Sequence, residues 1–179
     1  MYAGTTDWEW QTYPILHLDL NVKKYQTKED LDKILNRHLE QWEQRYGSPY
    51  ADRDLEERFL HVVELAHEKT NMQVIILVDE YDKPLLQVIG NNELQNEYRN
   101  TLKAFYGVLK SCDAHIKFAF LTGVTKFGKV SVFNDLNHLT DISMLPAYSN
   151  SRTHSMYSSV CWAFTLRWSV IRQMAGWMS

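Results

Sequence analysis

Cysteine is scarce in this sequence of 179 residues, and its scarcity removes several classes of protein. Cys112 and Cys161 are the only two, and they lie far apart, so neither a disulfide scaffold nor a four-cysteine zinc site can form. The seven histidines are scattered and include no H-E-x-x-H pattern, which argues against a metal centre built from them. We therefore expect a chain that works in a reducing compartment, the cytoplasm.

Long apolar runs and a basic excess are absent as well. The start of the sequence lacks the basic and apolar regions of a signal peptide. The rather apolar stretch 160–178 is interrupted by Arg167, Arg172 and Gln173, so we expect no membrane span. The net charge of −3 supplies no global positive field for nucleic acid or anionic lipid. What remains is an ordinary globular composition, 45% hydrophobic and 23% charged, with a length that predicts about one domain.

Acidic residues are absent from the last part of the chain. All 22 Asp and Glu precede residue 142, whereas residues 142–179 carry three arginines and three of the six tryptophans. This change divides the chain into a body, residues 1–148, and an atypical acid-free tail, residues 149–179. We favour a frameshifted or truncated gene as the origin of the tail. A genuine amphipathic or partner-binding segment is the alternative.

Hydrophobic periodicity predicts a β-α-α-β-α-β order in the body. Strands are predicted at 15–20, 73–78 and 116–121. Helices are predicted from a cap at Thr27 to a stop at Gly47, from about Asp52, and after a capping box of Asn92 with Gln95. The order predicts a parallel α/β sheet with helical crossovers, and the aliphatic strand 73–78 should be covered on both faces. The helical residues predicted to face the core are Leu31, Ile34, Leu35, Leu39, Trp42, Tyr46, Leu55, Phe59, Val62, Val63, Ala66, Leu94, Tyr98, Leu102, Phe105 and Leu109.

The residues that follow the strands are the candidates for function, because open parallel sheets bind ligands beyond the carboxyl ends of their strands. They are Asn21, the pair Asp79-Glu80, and Thr122 to Thr125. An aliphatic run ending in Asp-Glu is the Walker B pattern. Asp79 would face Mg²⁺ through water, and Glu80 would orient or deprotonate the attacking water. The structural alternative is a strand that ends in a polar turn. Asp82 and Lys83, which follow, are expected to be a solvated pair or a cap.

A second motif is weaker. Gly123-Val124-Thr125-Lys126-Phe127-Gly128-Lys129 fits seven positions of the phosphate loop G-x-x-x-x-G-K-[ST], but the eighth is Val130, which cannot bind Mg²⁺. The residues after it favour extended structure rather than the helix that such a loop should open. We therefore expect a junction between a strand and a loop, with a degenerate phosphate site as the alternative.

Several blocks of the body together resemble the bacterial AAA-ATPase-like family of predicted ATP-binding proteins. The blocks are 13–21, 42–47, 76–85, 117–127, 135–137 and 141–144. The resemblance implies a P-loop NTPase fold of the additional-strand type, with sheet order 5-1-4-3-2 and residues 14–20, 74–78 and 116–121 as its second, third and fourth strands. It also implies ATP and Mg²⁺ as ligands and Asp79 and Glu80 as the Walker B acids. Thr122 would be the polar sensor of the γ-phosphate or the lytic water, with Thr125 in reserve. The alternative for Thr122 is a hydroxyl that caps its own loop.

The sequence also departs from the family. The family's phosphate loop and first strand belong upstream of residue 8, so we expect a fragment that has the Walker B half and lacks Walker A. A preceding segment or a second copy of the chain would have to complete it. Several members carry a C-terminal nuclease-like domain of the PD-(D/E)XK type, but this sequence contains no such core, and nucleic acid enters only by analogy. The non-enzymatic alternative is a remnant or partner-completed interaction domain, for which we expect a bare edge on strand 116–121.

Overall fold

The computed structural model describes residues 12–47, 52–124 and Val132, together with the backbone of two strands at 139–141 and 160–164. The strands are β1 (Ile15–Asp19), β2 (Val74–Asp79), β3 (Ile116–Gly123), β4 (Leu139–Asp141) and β5 (Val160–Phe164). The helices are α1 (Lys28–Tyr46), α2 (Leu55–Thr70), α3 (Lys83–Gln87) and α4 (Asn92–Ser111), and a 3₁₀ turn at Asp113–His115 precedes β3.

The strands form one five-stranded sheet in the order β1-β2-β3-β5-β4. The β1-β2 and β2-β3 pairs are parallel, which confirms a parallel α/β core, and their order is compatible with the order that the resemblance implies for these strands. The β5 pairs are antiparallel, so the sheet is mixed rather than purely parallel. The expected bare edge on β3 is wrong: β5 pairs along it, with Leu121 opposite Trp162.

The helices cover one face of the parallel strands. On β2, Val74, Ile76 and Val78 are buried beneath them, whereas Ile75 and Leu77 on the opposite face are only partly buried. The prediction that this strand is covered on both faces is therefore wrong for the described residues. The core on the covered face is aliphatic next to the strands and aromatic between the helices. Its aromatic part includes the stacked rings of Phe59 and Phe105, whose centroids are 4.4 Å apart.

The helix faces follow the sequence pattern. Every helical residue predicted to face the core is buried except Leu55, which packs against the core while partly exposed. The capping box at Thr27 is confirmed, because the Asp30 carboxylate accepts from the Thr27 amide at 2.9 Å. The predicted cap at Asn92 is wrong by one residue: the Asn91 side chain accepts from the Leu94 amide at 3.1 Å.

An ion pair joins α1 to α2 within the helical layer. Arg58 donates through Nε and Nη2 to the two oxygens of the Glu43 carboxylate, both at 2.8 Å. Its third donor, Nη1, reaches Asn36 Oδ1 at 2.5 Å. Arg58 and Glu43 are 7% and 8% exposed, so the pair is largely shielded from water and fixes the two helices in one geometry.

Candidate functional site at the carboxyl ends of the strands

Two acids lie side by side where β1 and β2 end. Asp79 is the last residue of β2 and stands opposite Asp19 in the parallel register. The chain continues to pair past this point, because the Leu20 amide donates to the Asp79 carbonyl at 3.1 Å. Both acidic residues are partly buried. The carboxyl edge of the sheet therefore presents acid groups on a fixed backbone.

The Thr122 hydroxyl connects β3 to these acids. It donates to Asp79 Oδ1 at 2.5 Å and lies 3.4 Å from the Glu80 amide, which donates to it. The Tyr81 amide in turn donates to the Thr122 carbonyl at 2.9 Å. A threonine hydroxyl has one proton, and here that proton is directed at Asp79. Thr122 thus holds the Asp79 carboxylate in one orientation.

Glu80 has an unusual backbone conformation. Its φ is 56°, in the left-handed region that a side chain with Cβ rarely adopts. Its pKa is raised above the ordinary value of 4.5, first by burial and then by the negative charges of Asp79 and Asp82. Strained backbone at a titratable group is a recurrent feature of reactive sites. The raised pKa makes Glu80 a better proton acceptor than an ordinary surface glutamate once it is ionised.

Asp82 differs from its prediction. It was expected to form a solvated pair with Lys83, but it is fully buried and its Oδ1 accepts from the Val124 amide at 3.1 Å. Lys83 turns the other way, and its Nζ donates to the carbonyl of Asn21 at 2.6 Å and also to Asn21 Oδ1. The alternative prediction, that these residues cap a helix, is partly confirmed. Asp82 is the N-cap residue of α3, although its side chain makes no capping hydrogen bond.

Sequence reasoning missed the short helix α3 that follows the acids. Pro84 lies in its first turn, a position that proline favours and the one available signal. At its far end Gln87 Oε1 accepts from the Tyr25 amide at 2.9 Å. Together with Lys83 on Asn21, this contact ties α3 to the loop after β1. The structure thus connects the segment after Asp79-Glu80 to both neighbouring strand ends.

The structure brings Asp79, Glu80 and Thr122 together, as the sequence predicts for the edge of a parallel sheet. Thr125, the reserve candidate, and most of the glycine-containing segment 123–129 lie outside the described residues. In the described ranges no cluster of three or more His, Cys, Asp or Glu side chains could hold a metal ion. A metal at this edge would therefore need further ligands from outside the described residues. No helix in the same ranges is both long and apolar enough to cross a bilayer.

An open cavity of about 490 Å³ lies elsewhere, among the helices. Its lining includes Asn36, Arg58 and Thr101, and none of the strand-end residues. Because Arg58 is already bound to Glu43, the cavity does not offer that guanidinium to an anion. The candidate site is therefore the one at the carboxyl ends of β2 and β3, with Asp79, Glu80 and Thr122.

Comparison with known proteins gives a match to a family model and a similar protein. A family model described as "Predicted AAA-ATPase" matches residues 1–133. A relative described as "Uncharacterized protein in vnfD 5'region", from Azotobacter chroococcum mcd 1, is 38% identical over 143 residues. The match covers 79% of this chain but 28% of that protein, so the chain spans little more than a quarter of its relative. No solved structure matches the chain.

Proposed function

The chain belongs to the predicted AAA-ATPase family, and on that premise we propose that its sheet edge is the metal-facing and hydrolytic half of an ATP-binding domain. The observation that carries the proposal is the joining of Asp79, Glu80 and Thr122 at the ends of two parallel strands. Each has the chemistry that its role requires. A cytoplasmic location goes with the proposal, and the buried free thiol of Cys112 is compatible with it.

The residues at the edge fit Mg²⁺ bound to ATP. Magnesium prefers oxygen ligands and keeps several waters, so it is commonly held by one or two carboxylates together with nucleotide phosphates. Asp79 supplies such a carboxylate from a rigid strand end, held by Thr122. The lack of a full protein ligand set in the described residues is compatible with a metal that arrives with its nucleotide. When bound, Mg²⁺ would neutralise charge that develops on the phosphates.

The mechanism then assigns one task to each residue. Glu80 accepts the proton of the attacking water, a role that its raised pKa favours. Asp79 faces the metal, through water, in the orientation that the Thr122 hydroxyl fixes. In the proposal Thr122 acts through Asp79, and its role as a sensor of the γ-phosphate stays a prediction from the family resemblance. Thr125 remains a second candidate for binding the nucleotide.

The amides and the lysine that bind the phosphates of ATP would have to come from another segment. The 179 residues contain no complete G-x-x-x-x-G-K-[ST] sequence, and in P-loop proteins that loop supplies the backbone amides and the lysine that bind phosphate. We propose that a longer form of the chain, or a second copy, completes the site. The 179-residue chain alone should therefore bind ATP weakly.

Titration of Mg-ATP tests the proposal on two proteins, the 179-residue chain and the longer form that the proposal requires, called the full-length protein below. Asp79→Asn should abolish the dependence of binding on Mg²⁺. Glu80→Gln should keep binding while slowing hydrolysis by roughly 10²- to 10⁴-fold. Glu93→Gln, at an exposed acid in the first turn of α4, is the matched control and should change neither.

Three outcomes would count against it. If the full-length protein shows no Mg²⁺-dependent binding of nucleotide, the ATPase proposal fails. If the short chain binds tightly and Lys129→Ala abolishes that binding, the phosphate site is the segment Gly123 to Lys129 instead. If the short chain binds tightly and Lys129→Ala has no effect, it needs no completion.

A partner-completed interaction domain is the second candidate, and one observation favours it. The sheet face opposite the helices is apolar and incompletely buried: Ile15 is 46% exposed, and Ile75, Leu77, Phe118 and Phe120 are partly exposed. Partly exposed apolar surface of this kind commonly marks a contact with another protein or domain. Ile15→Glu should prevent such association and leave Mg-ATP binding by the full-length protein unchanged, which separates the two candidates.

A further inference from the structure

We propose that Asp82 is a positioning residue of this site, whose buried carboxylate holds the end of β3 through Val124 so that the Thr122 hydroxyl stays on Asp79. The catalytic consequence rests on the proposed ATPase function, but the geometric claim does not. Asp82 lies two residues beyond Glu80, and its Oδ1 accepts from the Val124 amide of β3's end. Its effect would be transmitted through the backbone of residues 122–124.

The contacts of Asp82 place it across from Thr122. Its Oδ1 accepts from the Val124 amide at 3.1 Å, two residues after Thr122. The Tyr81 amide donates to the Thr122 carbonyl at 2.9 Å. Residues 81 and 82 therefore bind the backbone of residues 122–124 at both of its ends. In addition to its pairing with Cys161 of β5, Thr122 is therefore held by these two bonds from the segment that follows Glu80.

Gly123, between these two bonds, lies directly against the same side chains. A Cβ atom added there would come within 2.5 Å of the Tyr81 ring and 2.7 Å of Asp82 Oδ1. Those distances are far below van der Waals contact, so only glycine allows the approach. The need for glycine in this case is close packing, since its φ is not in the left-handed region. The fit of Gly123 against Tyr81 and Asp82 fixes how near β3 lies to the acids.

The complete burial of the Asp82 carboxylate indicates that its hydrogen bond has a specific role. Asp82 is 0% exposed, and burying a charged or polar group costs free energy that an apolar residue of similar size would avoid. A position selected only for core packing would accept such an apolar residue. The directed acceptor of Asp82, aimed at the Val124 amide, provides what an apolar side chain cannot.

The geometric claim is tested by NMR on the ligand-free, full 179-residue chain. Asp82→Ala should speed hydrogen exchange of the Val124 amide by roughly 2- to 10-fold, the loss expected for one hydrogen bond of ordinary strength. The Thr122 χ1 angle, read from three-bond couplings, should change from one rotamer to an average. Asp82→Asn retains a side-chain oxygen and should restore both values. Asp52→Ala, at an exposed acid, is the control and should change neither.

Gly123→Ala provides a second test if Asp82→Ala fails to fold. It keeps the Asp82 side chain but forces the Tyr81 ring, Asp82 Oδ1 or the end of β3 to shift, so it should weaken the bond to the Val124 amide and release Thr122 in the same way. The proposal is overturned if these variants lower the melting temperature while Val124 exchange and the Thr122 rotamer stay as in the wild type. It is equally overturned if Asp82→Asn fails to restore them.

Hydrolysis by the full-length protein tests the catalytic consequence. Asp82→Ala should lower kcat by at least roughly tenfold with KM nearly unchanged, and Asp82→Asn should recover it. An equal loss in both variants would overturn the positioning role, because it would make the charge itself essential. If the wild-type protein hydrolyses no ATP, the ATPase proposal fails. The NMR measurements still decide whether Asp82 holds Val124 and, through it, Thr122.

Discussion

Replacing the buried Arg58 with methionine should strongly destabilise the packing of α1 against α2. The substitution removes three hydrogen bonds and leaves the Glu43 carboxylate, 8% exposed, without its bidentate partner. Breaking a buried ion pair from one side costs about 3–5 kcal/mol. For a chain of this size that corresponds to a fall in melting temperature of roughly 6–20 °C.

Urea and thermal unfolding, followed by circular dichroism, measure the effect, and the chain offers a matched control. Arg53 lies just before α2, and its side chain is 43% exposed. Its Nη1 is 3.7 Å from Glu57 Oε2, so Arg53→Met should lower the free energy of unfolding by less than about 1 kcal/mol. In the double variant Arg58→Met with Glu43→Leu neither charge of the pair remains, and most of the lost stability should return. The reasoning is refuted if Arg58→Met costs no more than Arg53→Met, or if the double variant is no more stable than the single one.

Three further predictions concern the strand ends and α4. Thr122→Val removes a hydrogen bond to a carboxylate and should weaken Mg²⁺-dependent ATP binding by the full-length protein roughly 10- to 150-fold; an unchanged affinity in titration calorimetry would contradict the role of Thr122 in holding Asp79. Asn91→Ala removes the α4 cap and should cost about 0.5–2 kcal/mol in urea unfolding, whereas Asn92→Ala should cost less. The raised pKa of Glu80 means that the folded state binds its proton more tightly than the unfolded state, so stability falls as pH rises from 4.5 through the raised pKa and is constant above it. Glu80→Gln should therefore melt at a higher temperature than wild type at pH 7, with a smaller difference near pH 4; a lower melting temperature at pH 7 would contradict this sign.

The parts of the fold that depend on local pattern could be predicted from the sequence. Spacing of apolar residues at helical period identified the buried faces of α1, α2 and α4, because one side of each must lie against the sheet. The acids after β2 and the threonine at the end of β3 were located together by one rule of parallel sheets, without any side-chain contact being known. The 2.5 Å bond from Thr122 to Asp79 is a contact that this rule allows but does not specify.

The parts that depend on distant partners could not be predicted. The sequence around Asp82 reads as polar and exposed, and its burial follows from the approach of Gly123 and Val124 from another strand. The pairing of β5 with β3 joins segments far apart in the chain, which no local periodicity reports. Near-continuous aliphatic residues in β2 predicted cover on both faces, but such a run does not say whether a second layer is present. Tertiary contact overrode local pattern in each case.

The antiparallel strand β5 has a consequence for how the chain is made. Thr122 in β3 pairs with Cys161, about forty residues later, so at a synthesis rate of roughly 5–20 residues per second the β3 edge waits about 2–8 s for its partner. During that interval the parallel strands β1, β2 and β3 can already pair, while β3 offers unpaired backbone groups to any other nascent chain. Conditions that slow translation between residues 124 and 160 should therefore increase aggregation of newly made chains without changing the stability of those that have folded.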